Sequence, residues 1–157
     1  MATFRRMTDR DRQAAYGLFV DYLHNDEFVR DSSAAYGNNG DRALSAALAL
    51  FVERPDFGFI WMGFDGDEAV AIAIVSYAIS TAVGGVVAKL EDLYVVPSRR
   101  SHGIGALLVG ALVEELSKNR IARLDTSVHL RNARGKSFYE THGFRPLHEE
   151  RLARVLR

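Results

Sequence analysis

Two long apolar runs, separated by a glycine pair, constrain the fold of this chain more than any other feature. Residues 69–82 and 86–96 are rich in valine and isoleucine, which favour extended strands over helices. Gly84-Gly85 provides a turn between the two runs, and Pro97 ends the second one. The two runs therefore predict a hairpin-connected antiparallel sheet.

Shorter patterns on both sides of these runs indicate an alternation of strands and helices. Strands are predicted at residues 3–7, 57–64 and 124–130, with a final strand or hairpin at 144–157. Apolar residues at helical spacing predict helices at residues 8–23, 44–54, 103–119 and 133–141. The polar segment 25–40, which ends in Gly37-Asn38-Asn39-Gly40, is predicted to be a loop. This order predicts an α/β (α+β) fold, with a mixed, mostly antiparallel sheet of six to seven strands and helices on both faces.

Length and composition exclude several classes of protein. A chain of 157 residues fits one domain, and its 20 basic residues balance 20 acidic ones, without the basic excess of strong nucleic-acid binders. The absence of cysteine excludes a disulfide framework, a thiolate metal site and a cysteine nucleophile, and the five histidines lack metal-ligand spacing. No apolar stretch has the length of a membrane span, and no signal core follows Met1. We expect a cytoplasmic protein with no metal and no nucleic-acid or membrane partner.

Residues 95–106 predict an anion site, because a strand runs there through a short loop into a helix. The first turn of a helix has unpaired backbone N–H groups and a partial positive charge. Gly103 and Gly105 carry no side chain at that turn, so a bulky anion such as a pyrophosphate can approach the amides. Arg99 and Arg100 add positive charge. Glycines at a helix start can also serve only close packing, and that alternative stays open.

Two common nucleotide-binding signatures are absent from this segment. The dinucleotide fingerprint Gly-x-Gly-x-x-Gly requires a third glycine where Leu108 stands. The phosphate loop of nucleotidases requires Gly-Lys-Ser/Thr, which does not occur here. The anion site is therefore of another kind.

Residues 100–105, Arg-Ser-His-Gly-Ile-Gly, resemble the Arg/Gln-x-x-Gly-x-Gly/Ala signature of the GNAT superfamily of N-acetyltransferases. Residues 90–97 resemble the strand that precedes this signature, and Asn132, Phe138-Tyr139 and residues 143–144 resemble its downstream elements at matching spacing. The resemblance covers about the second half of the chain, and it implies a single N-acetyltransferase domain over residues 1–157. The family commonly has glycine where Ser101 stands, which matters only if the position needs a positive φ.

The resemblance implies acetyl-CoA as co-substrate and indicates which residues would bind it. The pyrophosphate would bind the backbone amides of the loop and the first helical turn, and the pantetheine arm would pair with strand backbone freed where two strands splay apart. Asn132 would contact a pantetheine amide, cap the following helix, or do both. The residues assigned to the co-substrate are Leu93, Tyr94, Val95, Arg100, Ser101, His102, Gly103, Ile104, Gly105, Ala106 and Asn132.

Direct transfer to an amine needs a proton acceptor, because a free alkylamine has a pKa of about 10 and is mostly protonated at neutral pH. Glu91 is the candidate base, acting through a water, although it could equally be a solvated or salt-bridged strand residue. By resemblance, Tyr139 is the candidate acid for the leaving thiolate, and the alternative is an aromatic that packs a helix on the sheet. Glu91 and Asp92 are neighbours on a strand, so they face opposite sides unless a bulge intervenes.

The acceptor is predicted from weaker signals. Residues 80–95 resemble the diamine and polyamine branch of the superfamily. Acidic residues in the segment 21–31 would suit a cationic substrate, although they also suit any solvated loop. We therefore predict acetyl transfer to a primary amine of a small cationic molecule (a polyamine, diamine, amino acid or similar), with Asp92 and Glu27 as acceptor-binding residues.

Two other functions remain open at this point. The chain could acetylate a protein N-terminus or lysine, which needs an open groove, or it could bind acyl-CoA as a sensor without turnover. The presence of both Glu91 and Tyr139 favours an enzyme over a sensor. A homodimer is a further expectation, since residues 151–157 could form a terminal strand that serves a partner.

Overall fold

The computed structural model describes residues 1–36 and 40–156. Short 3-10 turns at Asp9–Asp11 and Pro97–Arg99 precede the first and fourth helices. The strands and helices, in chain order, are β1 (Ala2–Arg6), α1 (Arg12–Asn25), α2 (Glu27–Tyr36), α3 (Gly40–Glu53), β2 (Gly58–Asp65), β3 (Glu68–Ser80), β4 (Gly85–Val95), α4 (Ile104–Lys118), β5 (Leu124–Thr126) and α5 (Ala133–Thr141).

The five strands form one sheet in the order β1-β2-β3-β4-β5. The first four strands are joined as antiparallel neighbours, with the predicted β3–β4 hairpin at the centre. β5 lies parallel to β4, because α4 carries the chain back across the sheet between them. The predicted mixed, mostly antiparallel sheet is thereby confirmed.

Helices cover both faces of the sheet, and each face has its own apolar core. On the α4 face, the core residues of α4 pack against alternate residues of β3 and β4; they are Leu108, Leu112, Leu116, Ala71, Ala73, Val75 and Leu90. On the α1 face, residues of α1 and α3 pack against the remaining strand positions; they are Ala15, Leu18, Phe19, Leu48, Ile60, Met62, Ile72 and Tyr94. Each fully buried leucine of these cores contributes about 1.5–3 kcal/mol to the free energy of folding.

The expectation of six to seven strands is corrected to five for the described residues. The predicted hairpin at the end of the chain is wrong, since residues 144–156 contain neither strand nor helix. Pro146 cannot donate a ladder hydrogen bond, and His148 has a left-handed φ of 56°. Leu147, Leu152 and Leu156 are exposed, so this segment gains no buried face from pairing. The strand predicted over residues 124–130 is also shorter, at Leu124–Thr126.

The segment predicted as a loop between the first two helices contains α2 instead. Asp26 begins this helix, because its Oδ1 accepts hydrogen bonds from the backbone N–H groups of Phe28, at 2.9 Å, and Val29, at 3.0 Å. Residues 37–39 of the predicted loop lie outside the described residues. None of the helices within the described residues is both long and apolar enough to cross a membrane.

Candidate active site

Strand β4 separates from the edge strand β5 part of the way along its length. Their ladder ends at the pair Leu90 and Thr126, whereas β4 continues to Val95. Val96 donates its N–H to the carbonyl oxygen of Val70 at 3.0 Å. The backbone N–H and C=O groups of successive strand residues point to opposite sides, so those of Leu93 and Val95 face away from β3. A stretch of unladdered backbone therefore lines a gap on the β5 side of β4, and we call it the open edge of β4.

The three β4 residues assigned to the co-substrate do not share one orientation. The main-chain groups of Leu93 and Val95 face the open edge, and the Val95 carbonyl accepts a hydrogen bond from Nε of Arg100 at 2.9 Å. Tyr94 instead pairs with Ile72 of β3, and its side chain is buried on the α1 face. The open edge thus offers groups from Leu93 and Val95 but not from Tyr94.

A β-bulge in β4 puts Glu91 and Asp92 on the same face of the sheet. Asp92 is opposite Ile74 and Leu90 is opposite Val75, so Glu91 is the extra residue. Leu90 before the bulge and Leu93 after it both contribute to the α4-face core. The two carboxylates between them consequently both lie on the α1 face, which is the arrangement that a regular strand would forbid.

Asp92 lies in a partly buried polar cluster between β4 and α1. The hydroxyl of Tyr22 donates a hydrogen bond to Oδ1 of Asp92 at 3.3 Å. Burial raises the pKa of Asp92, an effect that the Tyr22 hydrogen bond only partly opposes. Burial and the nearby Asp92 carboxylate also raise the pKa of Tyr22, which therefore stays a neutral donor. Asp92 holds a proton more firmly than a solvated carboxylate does.

Tyr139 reaches the point where β4 and β5 separate. Its hydroxyl lies near enough to the side chain of Thr126 for the two to interact, and Thr126 donates to the Leu90 carbonyl at 2.9 Å. Burial raises the pKa of Tyr139, and the charge of Asp92 adds to the effect. The ring also packs edge-on against Phe138 and Phe144, with centroids 5.4 and 5.3 Å apart. The side chain thus packs α5 on the sheet and presents a neutral hydroxyl at the gap.

Glu91 is held by cations and a hydroxyl. Its Oε2 lies 3.6 Å from Nζ of Lys89 and 3.2 Å from Nη1 of Arg151. The hydroxyl of Ser76 donates to Oε1 at 3.2 Å. These contacts correspond to the salt-bridged strand residue that the sequence left open as an alternative.

The loop before α4 has the backbone conformation of an anion site. Gly103 is the N-cap of α4 with a φ of 76°, and no side chain caps the helix. Ser101 has a φ of 63°, so the position does need the left-handed conformation that glycine adopts most easily. The ring of His102 bonds back to the Arg100 carbonyl, with Nδ1 at 2.8 Å. The first-turn amides of α4, at Ile104, Gly105 and Ala106, therefore have no side-chain cap.

The structure tests whether close packing explains the two glycines of this loop, Gly103 and Gly105. A Cβ on Gly105 would meet Phe138 at 3.5 Å and Val95 at 3.8 Å, which are ordinary contacts, and a Cβ on Gly103 would meet nothing within 4 Å. Protein packing therefore does not require the bare surface at either position. The surface fits an outside group that approaches the helix N-terminus closely, as a pyrophosphate does.

The remaining predicted site residues take separate positions. Asn132 caps α5, because its Oδ1 accepts from the Gly135 N–H at 2.9 Å. Glu27 is exposed in the first turn of α2, whereas its neighbour Asp26 is close enough to Asp92 to act on its pKa. Among residues 1–36 and 40–156, no group of three or more histidine, aspartate or glutamate side chains is placed to hold a metal ion.

Sequence reasoning missed three side chains that contact the candidate catalytic groups. Tyr22 was taken only as part of an apolar helix face, although a tyrosine there needs a partner for its hydroxyl. Thr126 was taken as one residue of an alternating strand. Arg151 lies in the wrongly predicted hairpin, and no local pattern connects it with Glu91.

A family model described as "Acetyltransferase (GNAT) family" matches residues 19–144 of the chain. None of the curated protein sequences matches it. The matched range contains the open edge of β4, the loop before α4, Asp92 and Tyr139, but it ends before Arg151.

Solved structures show the same fold at low sequence identity. The aminoglycoside N-acetyltransferase AAC(6')-Iy in complex with a bisubstrate analogue of CoA is 16% identical, covers 98% of this chain and 97% of its own, and superimposes with a TM-score of 0.76. A ribosomal-protein-alanine N-acetyltransferase from Brucella melitensis biovar Abortus 2308 is 13% identical, with 99% of each chain covered and a TM-score of 0.75. A transcriptional regulator from Bacillus halodurans C-125 is 19% identical, with 99% of this chain and 100% of its own covered and a TM-score of 0.80.

Proposed function

The chain belongs to the acetyltransferase (GNAT) family, and on that premise we propose that it transfers an acetyl group from acetyl-CoA to a primary amine of a small cationic molecule. One observation carries the proposal: the gap where β4 leaves β5 lies between the bare N-terminus of α4 and the cluster of Tyr22, Asp92 and Tyr139. An anion site and a proton-handling site therefore meet at one opening in the sheet.

The residues at the open edge of β4 and in the loop before α4 have groups that suit the parts of acetyl-CoA. The amides of residues 101–106 suit its pyrophosphate, and the open edge at Leu93 and Val95 suits strand-like pairing with the pantetheine arm. Arg100 braces the loop on Val95, and His102 contributes mainly through its backbone. The co-substrate supplies the acetyl group as a thioester.

In the proposed transfer, a carbon–nitrogen bond forms at the acetyl carbonyl and the carbon–sulfur bond breaks. The ammonium form of the amine must first lose a proton, and Asp92 is the group that would accept it. The leaving sulfur must gain a proton or hydrogen bond, and the Tyr139 hydroxyl, kept neutral by burial, would donate it. A backbone N–H of the open edge would stabilise the charge on the carbonyl oxygen.

This assignment exchanges the roles that the sequence suggested for the two carboxylates. Glu91 was the candidate base and Asp92 the acceptor-binding residue. The partly buried position and raised pKa of Asp92 favour it as proton acceptor, because a carboxylate of ordinary pKa takes a proton from an amine only weakly. The ion pairs of Glu91 favour a role in binding charge.

A small cationic acceptor is supported by the carboxylates on the α1 face. Asp26, Glu91 and Asp92 lie close enough together to influence one another electrostatically. The narrower assignment to diamines and polyamines, the role of Glu27 and a cytoplasmic location stay predictions from sequence. The amine-panel assay distinguishes this function from protein acetylation and from acyl-CoA sensing.

We further infer that two copies of the chain associate through the C-terminal segment, residues 144–156. Leu147, Leu152 and Leu156 are 59%, 85% and 88% exposed there. Exposed apolar side chains at one end of a chain are typical of an interaction surface. A second copy would cover them.

The experiment is an amine-panel assay with acetyl-CoA that follows release of free thiol. Diamines, polyamines, amino acids, aminoglycosides and short peptides are supplied in turn, and CoA binding is measured separately by calorimetry. Thiol release with small cationic amines is the expected result. Release with peptides alone would favour protein acetylation, and CoA binding without release from any amine would overturn the proposal in favour of a sensor.

A further inference from the structure

An ion pair joins the end of the chain to the candidate acceptor site. Nη1 of Arg151 lies 3.2 Å from Oε2 of Glu91, which makes Arg151 a contact of the bulged strand β4 from a segment without regular structure. The same carboxylate receives Lys89 at 3.6 Å and the hydroxyl of Ser76 at 3.2 Å. Lys89 and Ser76 both belong to sheet strands, so of these three partners only Arg151 comes from outside the sheet.

The bulge in β4 places the Arg151–Glu91 ion pair next to Asp92. Because Glu91 and Asp92 lie on the same face, a cation bound at Glu91 stands beside the proposed proton acceptor. Arg151 is near enough for its charge to act on Asp92 as well as on Glu91. One guanidinium thus pairs with Glu91, while the neighbouring carboxylate, Asp92, accepts a hydrogen bond from Tyr22.

We propose that Arg151 occupies, in the free protein, the position of a second positive charge of the acceptor. The reacting amine would go to Asp92, and another ammonium group of the same molecule would displace Arg151 from Glu91. This inference rests on the proposed function and narrows its substrate to amines that carry at least two cationic groups. A monoamine would leave the Arg151–Glu91 pair in place.

A second cation can replace Arg151 at Glu91 at little energetic cost. The side chain of Arg151 is 49% exposed, and a pair this accessible to water contributes little to stability. Arg151 lies in a segment, residues 144–156, that is neither strand nor helix. Glu91 is more enclosed, at 26% exposure, and Ser76 keeps its carboxylate oriented when Arg151 leaves. Replacing one cation with another also leaves the local charge balance unchanged.

The test compares two acceptors that differ by one ammonium group, 1,4-diaminobutane and butylamine. The variant Arg151→Gln removes the competing cation, and Arg154→Gln, an exposed arginine of the same segment, is the matched control. For Arg151→Gln we expect KM for 1,4-diaminobutane to fall by about fivefold relative to KM for butylamine. Arg151→Lys is expected to restore the original KM.

A second variant identifies the partner. Glu91→Gln is expected to raise KM for 1,4-diaminobutane by about tenfold relative to KM for butylamine. In the Glu91→Gln background, Arg151→Gln should have no further effect on KM, because the two side chains act through one contact. Thermal unfolding of each variant checks that the fold is retained.

If Arg151 only anchors the C-terminal segment, Arg151→Gln should change the unfolding temperature but not the ratio of the KM values for the two amines. An unchanged ratio in Arg151→Gln would therefore overturn the inference, and so would a higher KM for the diamine. If the protein acetylates neither amine, calorimetric binding of both amines to the CoA complex decides. Tighter diamine binding to Arg151→Gln supports the inference, and equal binding to both forms overturns it, whatever the fate of the proposed function.

Discussion

Ser101 has a backbone conformation that serine rarely adopts, with a φ of 63° in the loop before α4. The left-handed region costs a non-glycine residue about 1–2 kcal/mol. Under the proposed function, this conformation aims backbone amides at the pyrophosphate of the co-substrate. Local strain of this kind is frequently found at binding sites.

The variant Ser101→Val should reveal the strain directly. A β-branched side chain is worse in the left-handed region, so we expect the free energy of unfolding to fall by about 1–2 kcal/mol relative to serine. Chemical denaturation measures the change, and Ser98→Val, at an exposed site three residues earlier, should stay within about 0.5 kcal/mol. Ser101→Gly should be at least as stable as the parent. A valine variant as stable as the glycine variant would contradict the assigned conformation.

Asp92 is the residue whose charge should control the pH dependence of activity. Because burial raises its pKa, the carboxylate becomes protonated on acidification at a higher pH than an ordinary aspartate, and activity should fall from there downwards. Asp92→Asn should lower kcat/KM by about 100-fold and remove that limb of the profile. The measurement is kcat/KM between about pH 5 and pH 9, with Asp67→Asn in the β2–β3 turn as the control.

Stability should respond to Asp92→Asn in the opposite direction. A carboxyl with a raised pKa binds its proton more tightly in the folded than in the unfolded state, so its ionisation costs stability as pH rises. The asparagine variant should therefore be no less stable than the parent above neutral pH. An unfolding midpoint well below that of the parent would show that Asp92 is a structural rather than a functional residue.

Helix α2 contacts the loop that follows β5 through Asp31, which pairs closely with His129 and at 3.6 Å with Arg131. Nε2 of His129 lies 2.7 Å from Oδ2 of Asp31, and its ring packs on Phe28 with centroids 5.0 Å apart. Nδ1 of the same ring accepts the N–H of Arg131 at 3.1 Å. The contact ties α2, which begins beside the acidic cluster, to the loop that leads into α5.

Loss of this contact should loosen α2 selectively. In His129→Ala we expect backbone amides of residues 28–31 to exchange with solvent about fivefold faster, because the helix keeps its cap at Asp26 but loses its lateral anchor. Hydrogen exchange followed by mass spectrometry measures this, and Lys136→Ala on α5 is the control. Unchanged exchange in α2 would mean that its packing on α1 is sufficient.

Elements with a strong local pattern could be predicted, whereas those set by distant contacts could not. The Val- and Ile-rich β3 and β4 and the apolar stripe of α4 were predicted nearly to their ends. The bulge at Glu91 depends on how β4 pairs with β3, which local sequence does not encode. α2 was mistaken for a loop because its segment is polar and only Asp26 signals its start.

At the scale of the whole molecule, the C-terminal segment should determine the oligomeric state. We expect the unmodified protein to sediment as a dimer and the double variant Leu152→Glu/Leu156→Glu to sediment as a monomer, because charge on both sides disfavours burial of this surface. Analytical ultracentrifugation distinguishes the two. The variant Leu50→Glu, at an exposed position of α3, is the control. An unmodified protein that stays monomeric up to high concentration would contradict the expectation.

The candidate site was predictable in parts but not as an assembly. The glycine loop and Tyr139 stand in recognisable motifs, so they could be singled out from sequence. Tyr22 and Asp92 are 70 residues apart in the chain, and their contact exists only because α1 packs across β4. The exchange of roles between Glu91 and Asp92 likewise follows from three-dimensional surroundings that adjacent residues do not share.

The sheet is a partition between its two faces, and β4 continues past the end of its ladder with the edge strand β5. The bare helix terminus stands on one side of this partition, and the carboxylates and Arg151 stand on the other. Under the proposed function, mutations that change the acceptor can therefore occur in α1, α2 and residues 144–156 without altering the loop before α4. Under the same proposal, the protein can evolve to accept a new amine while its binding of acetyl-CoA is retained.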